Sequence, residues 1–193
     1  MKRIERKKIL AFGASNSRNS INKRLAGYTA SLLNDIEMHL LDLNDFEMPI
    51  YSIDIEKETG IPETVYRFKS YIDDADGIII SFAEHNGHYT AVFKNLFDWL
   101  TRINRNIWQN KPMFLLATAP GSRGAKKVLE NAVIDMGRKG GDIVAVFSLP
   151  SIWDNYNEND GITDQTLKKA FEGQLLRFKK ALFNNVSTVQ IEN

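Results

Sequence analysis

Cysteine is absent from the 193-residue chain. That absence removes zinc ribbons, iron–sulfur clusters, thiol nucleophiles and disulfides, so any redox chemistry has to be borrowed from a cofactor. Proline and glycine are sparse, at 5 and 12 residues, and they nowhere gather into a linker, a repeat or a low-complexity tract. The expectation is one domain over residues 1–193. An excess of either charge is also missing: 25 Lys and Arg against 24 Asp and Glu leave +1, with no global field to gather nucleic acid or anionic lipid. No apolar run approaches the ~20 residues of a membrane helix. The basic opening Met1–Lys8 is followed by a short apolar run, but Ser15-Asn16-Ser17-Arg18 breaks that run at once. It reads as a solvated lead-in to a cytoplasmic protein, not as a signal peptide.

What the chain does have is a regular alternation. Short apolar runs stand at Ile9–Phe12, Met38–Leu43, Gly77–Phe82, Met113–Ala117 and Ile143–Leu149. Between them lie segments of helical period. Ile21, Leu25, Tyr28 and Leu32 form one, the stretch from Val92 to Leu100 a second, that from Val128 to Met136 a third, and Leu167, Phe171, Leu175, Phe178 and Leu182 the last. Pro62–Ile72 is a further helix opening on proline. Ile78-Ile79-Ile80 and Ile143–Phe147 are apolar without alternation, which predicts strands covered on both faces. The pattern specifies a three-layer α/β sandwich, a five-stranded parallel sheet with helices on both faces. Asn44–Ile61 and Ser151–Thr163 read as irregular loops at strand carboxyl ends, where open parallel sheets bind ligands.

The loop after the first strand, Gly13-Ala14-Ser15-Asn16-Ser17-Arg18-Asn19-Ser20-Ile21-Asn22, is crowded with hydroxyls and carboxamides. It lacks the lysine of a P-loop and the second and third glycines of a dinucleotide fingerprint. It also lacks the acidic residues with which a receiver domain holds magnesium. What remains is a neutral cradle at a helix N-terminus, suited to a terminal phosphate monoester. Equally, Ser20 reads as an ordinary helix cap.

The stretch Ser81-Phe82-Ala83-Glu84-His85-Asn86-Gly87, followed by Lys94-Asn95-Leu96-Phe97-Asp98-Trp99, resembles the Pro-Glu-Tyr-Asn-Gly…Lys-Asn-Ala-x-Asp-Trp segment of the NAD(P)H-dependent FMN reductase family. Those are flavodoxin-like enzymes that include quinone, azo-dye and chromate reductases. Ser15…Ser20-x-Asn22 resembles the family's phosphate loop, and Thr118–Ala125 resembles its glycine-rich loop after strand four. The chain departs from the pattern at Ser17, where the family has Arg and this chain has Arg18 one position on. It departs again at Ala83 for Pro, His85 for Tyr and Ala91 for Gly.

The resemblance implies a flavodoxin-like fold and bound FMN reduced by NADH or NADPH. It places Ser15, Ser17, Arg18, Ser20, Ile21 and Asn22 at the phosphate, Glu84, His85, Asn86 and Gly87 along the ribityl chain and ring, and Thr118, Pro120, Gly121, Ser122 and Arg123 on the other side. Gly87 and Gly121 are expected to allow close approach or positive φ. Hydride would pass from the nicotinamide to the flavin and on to free flavin, a quinone or a similar small acceptor, with no essential acid–base side chain. A homodimer or homotetramer is implied, using the aromatic helix Val92–Trp99. Two other readings stay open: a flavodoxin-type electron carrier, against which the near-neutral charge counts, and a flavin-free α/β binding module.

Other residues carry plainer expectations. His85 and His88 lack a third ligand at metal-site spacing. Phe93, Phe97 and Trp99 read as core or subunit interface, and Lys94–Asp98 as a surface ion pair. Arg102, Arg105 and Trp108 are expected to face water.

Overall fold

The computed structural model describes residues 6–184. Residues 1–5 of the basic lead-in lie outside them. In chain order the elements are β1 (Lys7–Ala14), α1 (Ile21–Ser31), β2 (Ile36–Leu41), α2 (Ile53–Thr59), α3 (Glu63–Asp74), β3 (Gly77–Phe82), α4 (Ala91–Ile103), β4 (Pro112–Thr118), α5 (Lys126–Arg138), β5 (Asp142–Leu149), α6 (Ile152–Asn155), β6 (Tyr156–Asn157), β7 (Gly161–Ile162) and α7 (Gln165–Asn184). The five long strands form one parallel sheet in the order β2-β1-β3-β4-β5.

Alternate residues of each central strand enter two separate cores. Leu10, Phe12, Ile78, Ile80, Phe82, Met113 and Leu115 meet Val65, Phe68, Phe93, Trp99 and Val128 of α3, α4 and α5. Ile9, Ala11, Ile79, Phe114 and Leu116 meet Leu25, Phe171 and Phe178 of α1 and α7. This is the three-layer arrangement expected of continuously apolar strands, and β3 is buried throughout.

β5 is an edge strand, half open along much of its length, yet both its faces are covered as expected: Ile143 and Val146 pack on the α5 side and Val144, Ala145 and Phe147 on the α7 side. The register with β4 shifts between Met113 and Phe114, so that Met113 pairs Ile143 while Phe114 pairs Ala145. A bulge of this kind resets which face each side chain meets. The two stretches expected to be irregular also hold structure. α2 lies in the first, capped by the Ser52 side chain and stopped at Gly60. The second holds α6 and the antiparallel β6–β7 pair.

Two further expectations are corrected. Lys7 and Lys8 begin β1 and are not part of a solvated lead-in: they pair with Asp76 and Asp74 at 2.8 Å each. Trp108 is buried, its ring 6.4 Å from that of Phe97. Phe93, Phe97 and Trp99 are likewise core. Lys94 and Asp98 form the expected exposed pair at 2.7 Å.

Burial tends to raise the Asp76 and Asp42 carboxyls, but hydrogen bonds outweigh it and hold both below their ordinary value. The donors are Lys7 Nζ and the Lys8 N–H for Asp76, and Lys23 Nζ and Asn44 for Asp42. A depressed carboxyl stabilises the fold above its unfolded pKa of ~3.9, and that contribution fades as pH falls through the lower folded value. Thermal midpoints are expected to fall below about pH 4. Asp76→Asn should flatten that fall, whereas an unchanged acid slope would contradict the assignment.

Candidate functional site

Because the sheet is parallel, Ala14, Phe82 and Thr118 end β1, β3 and β4 on the same edge. Strand order reverses between β1 and β3: the chain leaves β1 toward α1 on one face and β3 toward α4 on the other. A crevice opens at such a point. α1 lies against β1 so closely that a Cβ on Gly13 would stand 2.7 Å from Lys23 Cα and 2.9 Å from the Asn22 carbonyl carbon.

The loop that follows is organised by its own hydroxyls. The Ser17 N–H donates to Ser15 Oγ at 3.1 Å, the Ser20 N–H to the Ser17 carbonyl at 3.1 Å, and Ser20 Oγ accepts from the Lys23 N–H at 3.2 Å. Of the orphan donors in the first turn of α1, the Ile21 and Asn22 N–H groups keep no acceptor among the described residues. Open donors at the positive end of a helix form an anion site, so the cradle fits a phosphate.

Asn22 does something the sequence did not reveal. Its side chain is buried, and its Oδ1 accepts from Ser81 Oγ at 2.7 Å and from the Thr118 N–H at 3.1 Å, while Nδ2 donates to the Thr118 carbonyl at 3.2 Å. Thr118 Oγ1 is spent on the Leu149 carbonyl at 2.7 Å, and Thr90 Oγ1 donates to the Ala14 carbonyl at 2.9 Å. The Asn22 carboxamide thus bolts α1 to the ends of β3 and β4, leaving the Asn22 backbone N–H as the group that faces the cradle.

On the opposite wall, His85 and His88 exchange backbone hydrogen bonds of 2.9 and 3.0 Å across Asn86 and Gly87, both of positive φ. This is the tight turn that an Asn-Gly pair favours. Glu84 Oε2 accepts from the Val128 N–H at 3.0 Å and so caps α5 from outside that helix. Glu84→Ala is expected to cost about 1–2 kcal/mol of stability, with Glu84→Gln keeping most of it. Equal loss in both variants, measured by denaturant unfolding, would remove the capping role.

These walls enclose a groove of about 300 Å³, within the range of small-ligand sites. Of the expected residues it brings together Ser15, Ser17, Ser20, Ile21 and Asn22 with Glu84, His85, Thr118 and Pro120. Asn19, Ala83 and Ala119 also line it; their place directly beside the strand tips was the available signal. Asn86, Gly87 and Arg123 instead line a neighbouring groove that shares Glu84. Arg18, Gly121 and Ser122 are exposed and line neither. Gly121 lacks the positive φ expected of it, and a Cβ there would meet nothing within 4 Å.

Residues 7–153 match the family model described as NADPH-dependent FMN reductase. The chain is 35% identical over 119 residues to a 2-hydroxy-1,4-benzoquinone reductase of Burkholderia sp, an alignment covering 61% of this chain and 63% of that protein. It is 31% identical over 81 residues to a quinone reductase of Escherichia coli strain K12, covering 42% and 43%. Both alignments span less than two thirds of the relative's own length. Among solved structures, a flavoenzyme NAD(P)H:(acceptor) oxidoreductase from Paracoccus denitrificans superposes with a TM-score of 0.72 at 26% identity, over 92% of this chain and 98% of that one.

Proposed function

We propose, from the premise that the chain belongs to the NADPH-dependent FMN reductase family, that it is a flavin-dependent oxidoreductase. In this reading it holds FMN at the tips of β1, β3 and β4 and carries hydride from a reduced nicotinamide to a small acceptor of the quinone or free-flavin class. The observation that carries the reading is the pair of open N–H groups at Ile21 and Asn22, set at the end of a groove that Asn22 itself ties together.

FMN supplies the electron chemistry: its ring accepts hydride and gives it up again. The chain supplies position. The Ile21 and Asn22 N–H groups and the Ser15, Ser17 and Ser20 hydroxyls take the phosphate, fixing one end of a flat ligand. Ala83–His85 and Thr118–Pro120 line the groove and would hold the ring between them. Glu84 is the acid in this groove, and its carboxylate is spent on the start of α5. The reaction as proposed calls on no side-chain proton donor, and catalysis rests on holding two rings in contact.

Ser20→Asp separates phosphate binding from helix capping. Aspartate caps a helix as well as serine does and suits the positive end of α1, but its charge opposes a phosphate. The expected result is an unchanged or raised thermal midpoint with FMN affinity, read by quenching of flavin fluorescence, reduced at least about tenfold. A variant that binds FMN normally would remove the phosphate assignment.

The reading includes a cytoplasmic homodimer. The aromatic face of α4 is buried in the chain's own core, so it does not form the subunit contact. Ile50, 82% exposed, and Ile53 stand beside it, where Tyr51 packs on Trp99 and Glu56 pairs with Arg102. Light scattering on the purified chain should give twice the monomer mass, falling to the monomer mass on Ile50→Lys.

A further inference from the structure

The turn on the far wall of the groove carries two of the chain's three histidines, and they have different duties. His88 is folded back on the chain: its Nδ1 accepts from the Tyr89 N–H at 3.0 Å, and its ring stands 5.0 Å from that of Tyr89. His85 instead lines the groove, and its imidazole makes no hydrogen bond, ion pair or ring contact among the described residues. The backbone holds it in place, through the two hydrogen bonds exchanged with His88. The third histidine, His39, lies on β2, 3.3 Å from Glu37 and 4.0 Å from Asp74.

Among the side chains that line the groove, Glu84 and His85 are the two that change charge in the ordinary pH range. Glu84 is engaged at the start of α5, where it accepts from the Val128 N–H at 3.0 Å. Arg18 lines no part of the groove, and Arg123, Lys126, Lys127 and Glu130 line the neighbouring recess. His85 is therefore the group in the groove itself that is free to gain or lose a proton. Imidazole ordinarily does so at about pH 6.5, within the working range of an enzyme.

We infer that His85 is the charge partner of the reduced flavin ring, binding its proton more tightly when the ring carries electrons than when it is oxidised, and so setting how the cofactor's potential changes with pH. The inference rests on the reading of the groove as a flavin site and adds to it the residue that tunes the ring. Hydride brings two electrons and one proton to a neutral ring, which gains one negative charge, and the nicotinamide that gives up the hydride becomes cationic. The other charge among the lining residues is the Glu84 carboxylate, which opposes that anion. A protonated imidazole favours it, and the effect is reciprocal: reduction raises the proton affinity of His85 as protonation of His85 raises the potential. The proton comes from solvent, to which His85 is open, and none passes from His85 to the acceptor. The pattern the chain otherwise follows has tyrosine at this position, which keeps its proton well above neutrality, so the property belongs to this chain.

The test is a pH titration of the full chain loaded with FMN, its imidazole signals followed by NMR in the oxidised state and again under anaerobic dithionite, which needs no nicotinamide. His85→Gln identifies the His85 signal by its loss. Reduction should raise the proton affinity of His85 at least about tenfold, while His39, beside Glu37 and Asp74 on β2, stays as it was. Tenfold corresponds to about 30 mV in a two-electron couple. The wild-type potential should therefore lie about 30 mV above that of His85→Gln at about pH 5 and meet it by about pH 9. A His85 signal that titrates alike in both states, or a difference in potential that is the same at every pH, overturns the inference and leaves the flavin reading standing. A chain that shows no visible flavin band after loading removes both.

Discussion

Gly13→Ala is expected to abolish FMN binding and to lower the thermal midpoint by roughly 6–12 °C. The added methyl would meet backbone at the Lys23 nitrogen and Cα and at the Asn22 carbonyl carbon, and backbone cannot rotate away as a side chain can. Overpacking of a core commonly costs 1–3 kcal/mol. With helix backbone as the obstacle the cost should lie near about 3 kcal/mol, and ~1 kcal/mol corresponds to about 2–4 °C in a chain of this size. The strain is relieved by lifting the first turn of α1, which carries the open Ile21 and Asn22 N–H groups away from the groove. Calorimetry and flavin titration measure the two effects together. A variant of unchanged midpoint and affinity would mean that α1 does not rest on Gly13.

Asn22→Leu is the second large change. Leucine repeats the branching of asparagine with greater bulk, and leaves Ser81 Oγ and the Thr118 N–H and carbonyl without the partners they have at 2.7–3.2 Å. Each buried polar group left unpaired costs about 1–3 kcal/mol, so a total of about 3–5 kcal/mol is expected. Flavin affinity should fall with it, because the three loops lose their common bolt. Asn22→Asp should be no better, since its second oxygen would face the Thr118 carbonyl and a buried charge would lack a counter-ion. Pairing Asn22→Leu with Ser81→Ala should recover part of the loss, because one orphan is then removed. Additive losses in that cycle would deny the Asn22–Ser81 coupling.

The sheet was legible because strand burial in this fold leaves a simple trace. Ile78–Ile80 and Met113–Ala117 are continuously apolar and sit at the centre, with helices of clear period between them. Misreadings arose where local pattern and long-range packing disagree. Trp108 follows a largely polar stretch from Arg102 to Asn106, yet its ring closes the core against Phe97, while its backbone N–H donates to the Lys139 carbonyl at 3.1 Å. Lys7 and Lys8 looked like a solvated lead-in because their partners, Asp76 and Asp74, are far away in sequence.

At the site, the strand-tip loops were readable and the duties within them were not. A carboxamide both donates and accepts, so whether Asn22 serves a ligand or its own chain depends on Ser81 and Thr118, residues brought to it only by folding. The same holds for Glu84, whose partner is the first turn of α5. Arg123 stands three residues from Pro120 but lines the neighbouring groove, because the turn at Gly121–Gly124 carries it past the rim of the first.

The measurement that bears most directly on all of this is an anaerobic spectrum of the purified chain loaded with FMN, taken before and after addition of NADPH. A yellow sample whose flavin band bleaches within the turnover time, and recovers when a quinone is added, is the expected result. A flavin band that persists in NADPH, or a chain that takes up no FMN, would contradict it.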